Sequence, residues 1–378
     1  MLKKNCKEVV PTRWRYLFVL IFVIGILFTP WIHADAEQIL KPHILTTGTE
    51  EDMAKHTNYK FSTDGEERYK LVLEKDGCLQ IRMYVKNAGF INTKIYKNAD
   101  GSDLPDYLTC QCTSDLGNQG VIRQYMKKGT YYLCFPKNTY DIDLLLYSSA
   151  ARTIKSGSLV AAYCNADLTN FFNYKATKTG YITIDQKRLV ETAASMSVSL
   201  NTSKGTKLTD VISDHAIDKQ IIFPVKKGQT YKIGIRTLNV DGHQYYQMKM
   251  AFHADSKHAG SKKSKAESIK LKKSQSGILF SEDSSAVADW YKITNTKKQK
   301  LNLVCSGFVT SGSIDISIYN QKGKLIGKYH ILPGKGDKVK YQIKTSKNES
   351  SISKGIYYIK VSKSSKYTAG IYNVIVKP

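Results

Sequence analysis

Ser353-Lys354-Gly355-Ile356-Tyr357-Tyr358-Ile359-Lys360-Val361 places a turn glycine directly before an aromatic-rich strand. Two further segments share this arrangement: Lys127-Lys128-Gly129-Thr130-Tyr131-Tyr132-Leu133 and Lys226-Lys227-Gly228-Gln229-Thr230-Tyr231-Lys232-Ile233. A glycine turn followed by aromatic and β-branched residues is typical of a chain that enters a β-strand from a tight corner. Three copies in one chain predict a repeated β-structure.

The residues around each copy repeat as well. An aromatic residue of an opening strand precedes each turn glycine at a similar distance: 60 residues from Tyr69 to Gly129, 54 from Tyr174 to Gly228 and 64 from Tyr291 to Gly355. After the opener, apolar residues alternate with others, as in the first repeat at Leu79, Ile81, Met83 and Val85. Such alternation indicates strands with one buried and one exposed face.

These patterns predict an all-β protein with three tandem antiparallel jelly-roll-like β-sandwich domains after an N-terminal signal peptide. We expect the signal peptide at residues 1–36 and the domains at 37–152, 153–256 and 268–378. A lysine-rich linker is expected at 257–267.

The third repeat resembles a known family. Its Asp289-Trp290-Tyr291, Ser317-Ile318-Tyr319 with Gly323, and Lys354-Gly355-Ile356-Tyr357-Tyr358-Ile359 are similar to motifs of the bacterial pre-peptidase C-terminal domain. The first repeat fits less well and the second least, since Asn173 precedes Tyr174 where an aspartate is expected. The resemblance implies a jelly-roll-like sandwich that accompanies secreted proteases elsewhere, and some relatives bind extracellular matrix. It indicates a fold and an extracellular setting rather than a chemistry.

The N-terminal segment has the three parts of a secretory signal peptide. An apolar run over residues 16–28 lies between a basic region and the A-x-A cleavage pattern Ala34-Asp35-Ala36. A membrane-spanning helix needs about 20 apolar residues, which is more than this run contains. We expect cleavage after Ala36 and export from the cell; an uncleaved membrane anchor is the alternative.

The chain is strongly basic, with a formal net charge of +25. Residues 1–36 hold five basic and two acidic residues, so +22 remains without them. Such an excess attracts polyanions, and an exported protein meets anionic cell-wall polymers and polysaccharides. A solvated lysine-rich surface without a dedicated partner is the alternative. The densest lysine cluster, from Lys257 to Lys273, indicates a flexible linker first and a binding strip second.

Six cysteines follow residue 36. Export permits disulfides, and Cys78, Cys110, Cys112 and Cys134 allow three pairings, among which the sequence does not choose. Cys110 and Cys112 are one residue too close for the C-x-x-C spacing of zinc sites.

The sequence contains neither H-E-x-x-H nor G-x-S-x-G, the patterns of two large hydrolase classes. Asn98, Asp100, Ser102 and Asp103 loosely resemble a calcium loop, with an ordinary turn rich in Asp and Asn as the alternative. We therefore expect no catalytic centre, no resident metal and no cofactor.

Tyrosines and lysines are the remaining candidates for ligand contact. Strand alternation turns one ring of each tyrosine pair outward, where it can stack on a sugar or a matrix peptide; cross-strand packing is the alternative. The candidate binding residues are Tyr131, Tyr132, Tyr357, Tyr358, Lys262, Lys263 and Lys265.

The predicted function is non-catalytic binding or adhesion at the cell surface or outside the cell. Expected partners are an anionic polysaccharide or cell-wall polymer and, less directly, a matrix protein; nucleic acid is not expected. The alternative is an accessory or inhibitor-like protein that works beside a separately encoded secreted hydrolase.

Overall fold

A computed structural model describes residues 38–190, 195–213, 220–239, 242–255, 259–335, 338–344 and 350–378. The predicted signal peptide at 1–36 lies outside the described residues. Strands dominate this part of the chain, which has one short α-helix, α1 (Glu50–Ala54), and two 3-10 turns, η1 (Ser114–Leu116) and η2 (Lys263–Lys265). None of these described helices is long and apolar enough to cross a membrane. The predicted all-β class is confirmed.

The first ten strands form two facing sheets, which we call unit 1. They are β1 (Ile39–Leu40), β2 (His43–Leu45), β3 (Thr57–Thr63), β4 (Glu67–Leu73), β5 (Gly77–Val85), β6 (Gly89–Tyr96), β7 (Asp106–Cys112), β8 (Gln119–Met126), β9 (Gly129–Phe135) and β10 (Asn138–Ser148). One sheet has the order β1-β4-β9-β6-β7 and the other β2-β10-β5-β8, with β3 also paired to β10.

The next nine strands form unit 2. They are β11 (Arg152–Thr153), β12 (Leu159–Asn165), β13 (Asn170–Lys175), β14 (Gly180–Arg188), β15 (Met196–Thr202), β16 (Lys207–Ser213), β17 (Ile221–Val225), β18 (Thr230–Thr237) and β19 (His243–Ala254). The two sheets have the orders β11-β13-β18-β15-β16 and β12-β19-β14-β17.

The remaining strands form unit 3. They are β20 (Glu267–Ser268), β21 (Ser274–Leu279), β22 (Ala288–Asn295), β23 (Gln299–Val309), β24 (Ile314–Asn320), β25 (Leu325–Ile331), β26 (Gly334–Lys335), β27 (Val339–Ile343), β28 (Ser351–Ile352), β29 (Gly355–Lys363) and β30 (Gly370–Lys377). The sheets have the orders β20-β22-β29-β24-β25 and β21-β30-β23-β26, and β27 and β28 also pair with β23.

The three units share one plan in their first sheet. A two-residue strand lies parallel to the opening strand, and the opener then pairs antiparallel with the strand that follows the turn glycine. Each unit also encloses its own cluster of buried apolar side chains between its sheets. The sequence repeat is therefore a repeat of topology, while the domain boundaries at 37–152, 153–256 and 268–378 stay predictions.

The opening strand of unit 2 has a different register from the one that its sequence suggests. Tyr69 and Tyr291 lie opposite Leu133 and Ile359, and the residue at the matching place in unit 2 is Phe172, opposite Ile233. Tyr174, which the sequence repeat predicts as the opener, instead lies opposite Tyr231. Unit 2 has a phenylalanine where units 1 and 3 have a tyrosine, and Tyr174 lies two residues further along the same face of the strand.

The two junctions between units differ in chemistry. Unit 1 meets unit 2 through a buried cluster of side chains. It includes Leu145 and Tyr147 of β10 in unit 1, and Tyr163 of β12 and Tyr245 of β19 in unit 2. Unit 2 meets unit 3 mainly through polar contacts, such as the buried hydrogen bond of 2.6 Å from Thr209 Oγ1 to Thr310 Oγ1.

Candidate functional site

Three aromatic side chains share the outer face of the first sheet of unit 3. Trp290 lies on β22, Tyr358 on β29 and Tyr319 on β24. Their strand neighbours Tyr291, Ile359 and Ile318 are buried in the core, and since successive side chains of a strand point to opposite faces, the three rings point outward. All three are half-buried. We call Trp290, Tyr319 and Tyr358 the aromatic face.

The rings of the aromatic face lie next to one another. Tyr319 and Tyr358 are direct cross-strand partners in the β24–β29 ladder. The Trp290 ring reaches across β29, and its centroid lies 5.7 Å from that of Tyr319. Neither Trp290 nor Tyr319 was among the predicted binding residues, although alternation from the buried Tyr291 and Ile318 would have placed both on this face.

A lysine of the predicted linker completes the aromatic face. Lys263 begins η2, and its Nζ lies 4.7 Å from the centroid of the Tyr358 ring. The segment is held on unit 3 because the Trp290 amide donates a hydrogen bond of 2.8 Å to the Gly260 carbonyl. Residues 259–267 thus pack against unit 3. The first two residues of the predicted linker, 257 and 258, lie outside the described residues.

Two further lysines lie on the strands that carry the aromatic face. Lys292 lies opposite Tyr358 on β22, and Lys360 lies opposite Trp290 on β29. Lys262 and Lys265, also predicted to bind, are exposed and lie within two residues of Lys263 in the chain. The structure therefore brings Tyr358 and Lys263 together, while the other two predicted lysines are exposed to solvent.

Tyr131 and Tyr357 lie on the core side of their strands, unlike their neighbours Tyr132 and Tyr358. Both are half-buried and pack against the cores of units 1 and 3. Each hydroxyl donates a hydrogen bond to a backbone carbonyl of the preceding turn, Lys127 at 2.9 Å and Ser353 at 3.0 Å. Burial raises the pKa of both hydroxyls. These hydrogen bonds hold the glycine turns in place, and a binding role for Tyr131 and Tyr357 stays a prediction.

Unit 1 has a smaller counterpart of the aromatic face. Tyr132 lies opposite Tyr96, as Tyr358 lies opposite Tyr319. Here a guanidinium takes part, since Arg68 Cζ lies 5.0 Å from the centroid of the Tyr96 ring. In unit 2 the same two places hold Lys232 and Asn201, so the tyrosine pair is a feature of units 1 and 3.

A cleft of about 1330 Å³ opens between units 2 and 3. Small polar side chains on the outer face of the second sheet of unit 3 form one wall, among them Ser276, Ser306 and Asn373. Tyr181 and Asp210 of unit 2 contribute to the other wall. Asp210 is paired with Lys207 at 3.0 Å, so this carboxylate is already engaged by a cation.

Ser313, Asp315 and His330 lie together but are not arranged as a serine hydrolase triad. Asp315 Oδ1 accepts a hydrogen bond of 2.9 Å from Ser313 Oγ and lies 2.9 Å from His330 Nδ1. In a serine hydrolase the imidazole stands between the serine and the carboxylate and removes the serine proton. Here the carboxylate takes the middle place, so the His330 imidazole is not placed to remove the serine proton.

In the loop that resembles a calcium site, the carboxylates of Asp100 and Asp103 accept hydrogen bonds from backbone amides of the same loop. Asp103 accepts hydrogen bonds from the amides of Lys97 at 2.7 Å and Asn98 at 3.0 Å, and Asp100 accepts one from the Ser102 amide at 3.0 Å. These contacts make an ordinary turn. Within the described ranges, no group of three or more His, Cys, Asp or Glu side chains could hold a metal ion.

No protein-family model matches the sequence, and no curated protein matches it. Among solved structures, the pre-peptidase C-terminal domain of a collagenase from Bacillus anthracis is 15% identical, covers 29% of this chain and 93% of its own, and has a TM-score of 0.22. A triple-jelly-roll protein of an archaeal virus is 10% identical over 88% of this chain and 93% of that chain, with a TM-score of 0.21. A domain of a biofilm-associated protein is 10% identical over 85% and 65%, with a TM-score of 0.15. TM-scores this low do not establish a common fold, so the fold assignment rests on the sheets themselves.

Proposed function

We propose that this chain is a non-catalytic binding protein that acts outside the cell and holds an acidic polysaccharide on the aromatic face of unit 3. The observation that carries the proposal is the Lys263 ammonium 4.7 Å above the Tyr358 ring. It places a cation on the aromatic face next to the rings of Trp290 and Tyr319, which matches a polymer that has apolar ring faces and anionic substituents.

Physical chemistry favours this ligand class in two ways. Aromatic rings at a wet surface offer large apolar area at small entropic cost, and the neighbouring Lys292 and Lys360 can attract carboxylate, sulfate or phosphate groups. The net charge of +22 outside residues 1–36 adds a long-range attraction for any polyanion. The signal-peptide pattern that ends at Ala36 supports action outside the cell.

The proposal is tested by retention of residues 37–378 on immobilised heparin, with unsubstituted dextran as the neutral matrix. We expect retention on heparin alone and release by about 0.5 M salt, because salt screens the charge attraction. Tyr358→Ala and Lys263→Ala should each weaken binding about threefold or more, the scale of a cation–π contact together with its stacking surface.

Two matched variants separate this site from general charge. Lys298 is exposed between β22 and β23, so Lys298→Ala removes the same charge away from the aromatic face. Tyr132→Ala removes the counterpart ring in unit 1. Equal weakening by Lys298→Ala and Lys263→Ala would show that charge alone binds, and the absence of retention on heparin would reject the proposed function.

A further inference from the structure

Three sulfur atoms meet at one corner of unit 1. Cys110 and Cys112 lie two residues apart on the edge strand β7, and Met83 lies on β5 of the opposite sheet. Cys110 Sγ is 3.7 Å from Cys112 Sγ and 3.4 Å from Met83 Sδ. All three side chains are buried, and Cys110, with 9% exposure, lies nearest to solvent. Neither the predicted nor the proposed function uses this group.

The opposite strand leaves room for these sulfurs. Gly120 of β8 lies opposite Met83 in the β5–β8 ladder. A Cβ atom at Gly120 would lie 2.7 Å from Cys112 Sγ and 2.8 Å from Cys110 Sγ. Any other residue at position 120 would therefore push the two sulfurs away, and glycine keeps the pocket open.

A disulfide does not fit this arrangement. Cα atoms two residues apart on a strand are about 6.7 Å apart, at the upper end of the disulfide range, and their Cβ vectors run side by side instead of converging. A bond of about 2.05 Å would therefore require β7 to bend. Two sulfurs that bind one metal ion at about 2.3 Å lie about 3.8 Å apart at tetrahedral angles and about 4.0 Å apart at trigonal angles, which is close to the distance of 3.7 Å between Cys110 Sγ and Cys112 Sγ.

We propose that Cys110, Cys112 and Met83 form a binding site for a soft monovalent metal ion of the copper(I) class. Thiolate and thioether sulfur are the ligands that copper(I) prefers. Zinc sites are usually completed by four nitrogen, oxygen or thiolate ligands, whereas this group offers two thiols and a neutral thioether in a dry, apolar corner.

Metal binding at this site is coupled to proton release. Each thiol loses its proton to water when its sulfur binds the ion as a thiolate, so up to two protons are released per ion.

The test is an anaerobic titration of residues 37–378 with copper(I) in competition with a chromophoric copper(I) chelator. We expect one tightly bound ion per chain and X-ray absorption with sulfur neighbours at about 2.3 Å. The double variant Cys110→Ala/Cys112→Ala should lose this ion. Met83→Leu keeps the core volume and should weaken the affinity on the order of tenfold, the scale on which single groups tune protein metal sites.

Cys305→Ala is the matched control, since Cys305 is a buried free cysteine in unit 3, and copper binding should not change. Circular dichroism checks that each variant is folded, and Met83→Leu decides the question if the double variant is not. An unaltered copper titration in Met83→Leu and the double variant, or no tight copper(I) in the parent chain, would overturn the proposal. So would a native Cys110–Cys112 disulfide, detected as a loss of two hydrogens by mass spectrometry.

Discussion

A single carboxylate organises the loop before α1. Asp52 Oδ2 accepts hydrogen bonds from three successive backbone amides: Thr46 at 2.9 Å, Thr47 at 2.7 Å and Gly48 at 2.8 Å. Its other oxygen lies 3.1 Å from His43 Nε2. Burial raises the pKa of Asp52, but the hydrogen bonds from Gly48 and Thr47 outweigh this effect and hold the pKa well below its usual value.

The loop that Asp52 organises lies at the junction with unit 2. The Thr46 carbonyl accepts a hydrogen bond of 2.8 Å from the Ala161 amide, and the Thr47 carbonyl accepts one of 2.8 Å from Gln247 Nε2. A change at Asp52 should therefore weaken both the loop and the docking of unit 1 on unit 2.

We expect Asp52→Asn to lower the free energy of unfolding by about 2 kcal/mol at pH 7, since a hydrogen-bonded buried charge is lost. Because the pKa is lower in the folded than in the unfolded state, the carboxylate stabilises the fold above about pH 4, and this contribution is lost as the pH falls further. The difference between Asp52→Asn and the parent chain should therefore shrink in acid.

Chemical denaturation at several pH values from 7 to 3 measures this difference. Asp64→Asn is the control, because the Asp64 side chain is 91% exposed and should contribute little. A difference that stays constant over this pH range would contradict the role of the Asp52 charge.

At the scale of strands, a buried tyrosine of the last strand joins the two sheets of unit 3. The Tyr372 hydroxyl on β30 donates a hydrogen bond of 2.5 Å to Asp289 Oδ2 on β22 and lies 2.7 Å from the Tyr291 hydroxyl. Unit 2 has a neutral version, in which Asn170 Nδ2 donates a hydrogen bond of 3.1 Å to the Tyr246 hydroxyl.

The two versions predict different effects of the same substitution. Tyr372→Phe leaves a buried carboxylate without one of its donors, so we expect a loss of about 2–3 kcal/mol in the free energy of unfolding. Tyr246→Phe removes a neutral hydrogen bond and should cost about 1 kcal/mol. Denaturant unfolding of both variants provides the comparison, and an equal loss in both would show that the Asp289 charge does not matter.

Strand existence was predictable because its causes are local. Period-two alternation and turn glycines are properties of a few successive residues, and they placed the strands around Leu79, Leu301 and Gly355 correctly. The opener position of Phe172 was not predictable in this way, because a phenylalanine stands where units 1 and 3 have a tyrosine, and its pairing with Ile233 is formed far along the chain.

The candidate site was predictable only in part, because it joins residues that are far apart in the sequence. Tyr358 and Lys263 were each singled out, but they are 95 residues apart in the sequence, and their contact depends on how the segment from Gly260 packs along β22. Trp290 was recognised as part of a motif and not as a surface residue. The sulfur group of unit 1 depends on the packing of two opposite sheets, which no local pattern encodes.

At the scale of the whole molecule, the two junctions differ in how they couple neighbouring units. Unit 3 meets unit 2 through a loop whose carbonyls bind one buried ammonium: Lys363 Nζ donates to Phe280, Ser281 and Asp283. The same loop uses Glu282 and Asp283 to bind Tyr231 and Lys226 of unit 2. A polar junction of this kind permits separate unfolding more readily than an apolar one.

The junction between units 1 and 2 is apolar and centred on Tyr245. Its ring centroid lies 4.8 Å from that of Tyr147 and 5.2 Å from that of Tyr163, and Arg123 Cζ lies 5.7 Å from it. The Tyr245 hydroxyl is 3.3 Å from Cys78 Sγ. A buried apolar junction of this kind should make units 1 and 2 unfold as one cooperative body.

The neighbouring positions Tyr245 and Tyr246 allow this coupling to be measured with a matched pair of substitutions. Tyr245 packs in the junction, whereas Tyr246 packs in the core of unit 2, and each truncation to alanine removes about 3–5 kcal/mol of packing. In calorimetry, Tyr246→Ala should lower the temperature of one shared transition of units 1 and 2, because their coupling is intact. Tyr245→Ala should instead split that transition into two, and a single shifted transition in both variants would show that the junction does not carry the coupling.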